Sequence, residues 1–322
     1  MHHVPLGVSD LAVSRICFGC WQLSPQFWGD VPLDGWRAAV RRAPDLGVNF
    51  LDTADAYGDG FAETELGRLF ADPMLRDRFV LATKFYWNFD ESETRFPDTR
   101  RARILRACEN SLMRLRTDRI DLYQVHAWDA LTRPDEVAEA LIQLRREGKI
   151  RWIGVSNFNV EQLAVYRARM EVVCLQPPYS LLARDVEARE LPYCLANRIG
   201  VIAYSPLFRG LLTGKHAPGT KLGDSRDEHP FFAEKALGRL QAGLAKLQPL
   251  ADAEGLTLAQ FAVRWVITHP ALTSAIVGVK KPEHLEGIVK AAEGALSQET
   301  WHRAAKIMAS AKKDAEALRE QP

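Results

Sequence analysis

No uninterrupted apolar run in the 322 residues approaches the roughly 18 needed to cross a bilayer, and the start MHHVPLGVSD lacks the apolar core of a secretory signal. No membrane partner is therefore expected, and the cytoplasm is the expected compartment. Charge of one sign is also missing: 42 Lys+Arg stand against 41 Asp+Glu, a formal net of +1 without a long single-sign block, so no nucleic-acid partner is expected. Cysteine is sparse, with five scattered residues, an odd number that suits reduced thiols better than a disulfide framework. Cys17 and Cys20 form the one C-x-x-C, but ICFGCW reads as a strand, where positions three apart point to opposite faces, so a structural role is expected. No G-x-G-x-x-G follows the first strand, which argues against a Rossmann site, and no second histidine stands at ligand spacing from His126, so no metal is expected.

What the chain does have is alternation. With 47% hydrophobic residues it can bury an extensive core. A hairpin over residues 4 to 16 is followed by eight strand candidates: ICFGCW, VNFLDT, FVLATK, IDLYQVH, RWIGVS, VVCLQ, GVIAYS and SAIVGV. Helix-length amphipathic segments lie between them. Asp34 is placed to cap the helix carrying Trp36, Ala39 and Val40, and Gly47 to stop it. Thr132 and Pro134 open another, with Val137, Leu141 and Leu144 along one face and Gly148 beyond its end. TRRARILRACENSLMRLR reads as an amphipathic helix with a solvated basic face. Eight βα units with no Pro/Gly/Ser-rich linker predict a (β/α)8 TIM barrel in a single domain over residues 1–322. The stretch from Ser205 to Phe232 is too long for an ordinary βα turn and is a candidate functional loop.

In such a barrel every strand's C-terminal end faces one mouth, and catalytic groups belong there. Asp52 ends the second strand, Lys84 the third and His126 the fourth; Tyr57 follows Asp52 in LDTADAYG. A phenol is a poor acid, with a free pKa of about 10, and a neighbouring ammonium favours the phenolate and eases loss of the proton. Asp52 can hold Lys84, and the His126 imidazole can fix the oxygen that Tyr57 protonates. The set reads as a proton-delivery and oxyanion site for a hydride arriving on carbon.

These residues sit in longer motifs. DTADAYGDGFAETELG, the ATK ending a strand, SLMRLRTDRIDLYQVH and GKIRWIGVSNF resemble the signatures of the aldo-keto reductase superfamily, and the resemblance runs from Leu6 to about Ala291. It implies a barrel whose bottom is closed by an N-terminal hairpin, and hydride transfer between NAD(P)H and a carbonyl without metal. By the same resemblance, Tyr57 is the general acid, Lys84 and Asp52 tune it, and His126 orients the substrate. Ser156, Asn157 and Gln176 would meet the nicotinamide carboxamide and Tyr204 would stack on its ring. Ser205, Pro206, Leu207, Arg209, Gly210 and Lys215 would enclose the pyrophosphate, although Gly210 and Gly214 read equally well as turn glycines. Gly278, Lys280 and His284 would meet the adenosine end. There the sequence departs from the family: Gly287 and Ile288 replace a glutamate and an asparagine, and His284 an arginine or glutamine. Lys280 with Arg226 suits a 2′-phosphate, so NADP(H) is expected over NAD(H).

Trp21, at both the cofactor and the substrate position, and Tyr86, Trp87 and Trp128 can wall a pocket for an apolar aldehyde or stack on a sugar; each can equally be packing under loops. The expected partner is a small carbonyl or sugar. Rival readings are a sugar or polyol dehydrogenase working oxidatively, and a cofactor-bound regulatory subunit like those of potassium channels. Against the latter stand the complete tetrad and the lack of an added N-terminal segment. The helix-length segment after Ala291 is a candidate cover for the mouth. Oligomeric state is open.

Overall fold

The computed structural model describes residues 1–89 and 95–318. Strands β1 (His3–Pro5) and β2 (Ala12–Ser14) pair antiparallel as the expected hairpin. The eight predicted strands follow as β3 (Ile16–Gly19), β4 (Phe50–Asp52), β5 (Val80–Phe85), β8 (Ile120–Val125), β9 (Ile150–Ser156), β10 (Val172–Gln176), β11 (Gly200–Ala203) and β12 (Leu272–Gly278). The short strands β6 (Trp87–Asn88) and β7 (Phe96–Pro97) form a small antiparallel pair in the loop after β5. The eight longer strands are parallel and close in the order β3-β4-β5-β8-β9-β10-β11-β12, a (β/α)8 barrel.

Strand alternation sorts the side chains into two apolar layers. Leu51, Leu81, Tyr123, Leu175 and Val277 point outward into the core shared with the helices. Cys17, Phe50, Ala82, Leu122, Cys174, Ile202 and Ile276 point inward and meet Leu6, Leu11 and Val13 of the hairpin, which plugs the barrel floor. The plug is tight. A Cβ on Gly7, whose φ is +59°, would lie 2.4 Å from the Val173 carbonyl oxygen, and one on Gly200 would lie 2.6 Å from Leu6 Cδ1. Cys17 thus lies inside the barrel and Cys20 outside it, as strand geometry requires, and all five cysteines are free and buried.

Three local expectations are corrected. Asp34 does not cap its helix: Leu33–Arg42 begins after Pro32, and Asp34 sits in the first turn, where it pairs with Arg37 at 3.4 Å. Gly47 does end this segment in a left-handed conformation, after an intervening 3-10 turn. The basic helix Arg101–Leu115 is not solvated along its whole polar face, because Arg103 is buried and contacts Asp55 at 3.2 Å. The C-terminal helix Gln298–Glu316 packs on the outer ring instead of the mouth. Its Met308 and Ala311 fit against Gly243 of the helix Glu234–Ala253, and Trp301 stacks on Trp265 at 4.8 Å. Among the described residues, no helix is long and apolar enough to cross a membrane.

Candidate active site

One pleat above the apolar floor, the same strands turn polar. Asp52 is two residues beyond Phe50, Lys84 two beyond Ala82, Gln124 two beyond Leu122 and Gln176 two beyond Cys174. Period-two alternation aims all four into the barrel, and parallel register sets Asp52 beside Ala82 and Lys84 beside Gln124. Lys84 is fully buried, with Nζ donating to Asp52 Oδ1 at 2.6 Å, the Thr53 carbonyl at 2.8 Å and the Tyr57 hydroxyl at 3.1 Å. These three acceptors match the three donors of an ammonium. Asp52 Oδ2 accepts from Gln176 at 2.8 Å and from Gln124 at 3.4 Å. Sequence reasoning missed Gln124 and the Thr53 carbonyl; the i+2 step from Leu122 in DLYQVH was the available signal for the former.

The electrostatics follow from burial. Desolvation disfavours the Lys84 ammonium, but Asp52 and Tyr57 outweigh it and hold the pKa above the ordinary lysine value, so the group stays charged. Burial pushes the Tyr57 phenol up to about 12; Lys84 opposes this and Asp52 adds to it. The ammonium therefore stabilises the phenolate without making it the resting form, a shift opposite in net sign to what Lys84 alone predicts. His126 sits edge-on to Tyr57, ring centroids 6.0 Å apart, and burial, Lys84 and Arg95 lower its pKa to about 3, so the imidazole is neutral. Its Nδ1 is buried without a hydrogen-bond partner.

Beside the tetrad runs a second network. Ser156 Oγ donates to the Gln176 carbonyl at 2.8 Å; Asn157 Nδ2 donates to the His126 carbonyl at 2.9 Å, and Asn157 Oδ1 accepts from the Tyr204 hydroxyl at 2.8 Å. Asn157 adopts a left-handed backbone, φ +59°, as do Ser205, Phe208 and Arg209 in the next loop. Such conformations are costly for side-chain-bearing residues and cluster at ligand clamps.

The loop from Ser205 to Phe232 crosses to the segment after β3. Ser225 Oγ donates to the Phe27 carbonyl at 2.8 Å and Arg209 Nη1 donates to Ser225 Oγ at 3.1 Å. The Arg209 guanidinium lies 5.4 Å from the Trp21 ring, and that of Arg226 lies 5.4 Å from Trp28. Pro206 is buried and Leu207 packs on the core, while Lys215, Arg226 and Lys280 lie close enough that the first two, with burial, depress the Lys280 pKa against Asp224. His284 feels Lys215 and Lys280 in the same way. Gly278 lies beneath the Gln22 amide, where a Cβ would come within 1.6 Å of Nε2.

The aromatic positions divide. Trp21 is at the crossing, packed on Phe27 and Trp28. Trp87 is part of β6 and edge-on to Tyr86, whose hydroxyl donates to the Trp128 carbonyl at 3.2 Å. Trp128 packs on Phe158 and Tyr166, so one face of it belongs to the core.

A closed parallel barrel that brings buried Asp52 and Lys84 together with the partly exposed Tyr57 and His126 at one mouth is the architecture of an aldo-keto reductase. The Aldo/keto reductase family profile matches residues 15–309, and the chain belongs to that family. It is 38% identical to the aldo-keto reductase YhdN of Bacillus subtilis (strain 168) over 291 residues, 89% of this chain and 88% of that one. It is also 29% identical over 305 residues to a probable voltage-gated potassium channel subunit beta of Arabidopsis thaliana, covering 91% and 92% of the two chains. The structure of the glycerol dehydrogenase AKR11B4 from Gluconobacter oxydans superposes with a TM-score of 0.86 at 34% identity, covering 96% of this chain and 95% of that one.

Proposed function

We propose that this protein is an NADP(H)-dependent oxidoreductase, one domain throughout, that reduces an aldehyde or ketone to an alcohol with Tyr57 as general acid. The observation that carries this reading is the Lys84 ammonium bonded at once to Asp52 and to the Tyr57 hydroxyl. A bound reduced nicotinamide supplies the hydride to the carbonyl carbon. The chain supplies the proton: as charge develops on the substrate oxygen, the Tyr57 hydroxyl gives up its hydrogen and the phenolate is left against Lys84. Asp52, held by Gln124 and Gln176, keeps Lys84 charged and fixed in place. Neutral His126 offers a ring N–H to the substrate oxygen and helps to orient it.

The residues present fit a dinucleotide. Amide and hydroxyl groups of Ser156, Asn157 and Gln176 lie beside the tetrad, the Tyr204 ring borders them, and beyond comes a left-handed turn and then Lys215, Arg226 and Lys280. The positive charges of Lys280 and Arg226 near one another support a 2′-phosphate and hence NADP(H). Trp21, Trp87 and Trp128 are proposed to border the substrate. Five buried, unpaired thiols suit a reducing compartment such as the cytoplasm.

A second reading, oxidation of a polyol or sugar, is favoured by the likeness to a glycerol dehydrogenase. A phenol of raised pKa suits reduction at neutral pH, and oxidation should quicken as pH rises and the phenolate becomes accessible. The test is to follow NADPH and NADH absorbance against panels of aldehydes, ketones and sugars, and NADP+ and NAD+ against polyols. Turnover with NADPH and an aldehyde at neutral pH is expected. Tightly retained cofactor without turnover on any panel would favour a regulatory subunit instead.

A further inference from the structure

The loop that crosses the mouth contains a feature that the tetrad does not use. Phe208, Arg209 and Gly210 are consecutive left-handed residues, φ +46°, +55° and +89°. A Cβ on Gly210 would lie 3.3 Å from His216 Nε2 and 3.9 Å from Arg226 Nη1. The space a side chain would occupy is thus bounded by two ring or guanidinium nitrogens from separate parts of the loop.

Both nitrogens are held in position. His216 is 7% exposed, its ring lies 5.7 Å from that of Phe232, and its carbonyl accepts from Gln241 Nε2. Its own Nε2 is buried with no hydrogen-bond partner, a costly arrangement unless a ligand completes it. Arg226 uses Nε and Nη2 on Asp224, at 2.8 and 2.6 Å, and Nη1 is the nitrogen that borders Gly210. Burial together with Lys215 and Arg226, opposed by Asp224, lowers the His216 pKa to about 4. The field at this point is positive, and an anion would relieve it.

We infer that His216 is a phosphate-binding residue, its Nε2 converging with Arg226 Nη1 over Gly210 on a phosphoryl oxygen of the dinucleotide. The inference rests on the cofactor reading above. A tetrahedral group with several acceptor oxygens can take both donors at once, and Lys215 and Lys280 supply further positive charge nearby. Gly210 is required because any side chain would fill the space. The phosphoryl group belongs either to the pyrophosphate bridge or to the 2′-phosphate.

The test is equilibrium binding by tryptophan fluorescence of NADP+, NAD+, 5′-ADP and 2′-AMP to the wild type and to His216→Phe, which keeps a buried ring and removes both nitrogens. Loss of one charge-assisted contact should weaken binding roughly tenfold or more. If the pyrophosphate is bound, NADP+, NAD+ and 5′-ADP all weaken and 2′-AMP does not; if the 2′-phosphate is bound, only NADP+ and 2′-AMP weaken. Wild-type affinity of His216→Phe for all four ligands overturns the inference. A wild type that binds no dinucleotide overturns the proposed function instead. Should the Phe variant not fold, 15N-imidazole resonances of the wild type decide: a histidine shifting on addition of 5′-ADP or 2′-AMP and missing from the spectrum of His216→Gln supports the inference, and no such shift overturns it.

Discussion

At the barrel floor Cys17, Phe50, Leu122 and Ile202 meet Leu6, Leu11 and Val13 without a charged group among them. One pleat higher, the same sheet buries a carboxylate, an ammonium and two amides that satisfy one another. The floor gains stability from dispersion and exclusion of water, and a single clash disturbs it. The polar layer rests on that dry floor, so its charges interact at low effective dielectric and depend on one another: remove one partner and another is left buried and unpaired. The packed floor and the proposed catalytic layer are thus one pleat apart on the same strands.

That separation can be broken at several points. The largest effect is expected from Tyr57→Phe, which removes the proposed acid and leaves the ring packing. Turnover should fall about 10²- to 10⁴-fold while cofactor affinity holds and the melting temperature falls less than in Lys84→Met, as read by steady-state kinetics, fluorescence titration and calorimetry. Lys84→Met should damage both properties. The Asp52 carboxylate loses its partner, so stability should drop by about 3–5 kcal/mol in urea unfolding along with the activity; unchanged stability would show that water reaches this layer. At the floor, Gly200→Ala should cost about 1–3 kcal/mol by overpacking against Leu6 while kcat per folded molecule is kept. A change in kcat would mean that floor and rim are coupled.

A pH-dependent effect concerns Asp55, in the loop between Asp52 and Tyr57. Burial first, then Glu63, raises its pKa to about 7 from 3.8, against the pull of Arg103 and Arg114. The folded state holds this proton more tightly than the unfolded chain, so the stabilisation is complete below pH 3.8 and is lost as pH rises to about 7. The wild-type melting curve minus that of Asp55→Asn should therefore slope downward across that window, and a flat difference would place the carboxyl in a wetter setting.

The eight strands were legible because short β-branched or apolar runs alternate with helix-length amphipathic segments, a pattern readable within each stretch of chain. The convergence of Asp52, Lys84, Tyr57 and His126 on one mouth was legible too, since parallel strands bring together C-terminal ends that are far apart in the chain. Arg103 was misread because nothing near it in sequence reveals Asp55, the contact that lets it be buried. His216 escaped notice because the role proposed for it rests on a buried Nε2 without a hydrogen-bond partner, which only the folded loop reveals. The C-terminal helix showed an apolar face, but Gly243, which selects that face's partner, is more than 50 residues away.

The alternation of strand and helix by itself determined that this chain forms a barrel and that Asp52, Lys84 and His126 reach its mouth, because both follow from which short runs are strands and where each one ends. The protonation balance was left to the tertiary structure. Whether Tyr57 rests as a phenol depends on the competition between desolvation and one ammonium, and the outcome is a sum over groups from β4, β5 and the loop after β4 that meet only once the barrel closes.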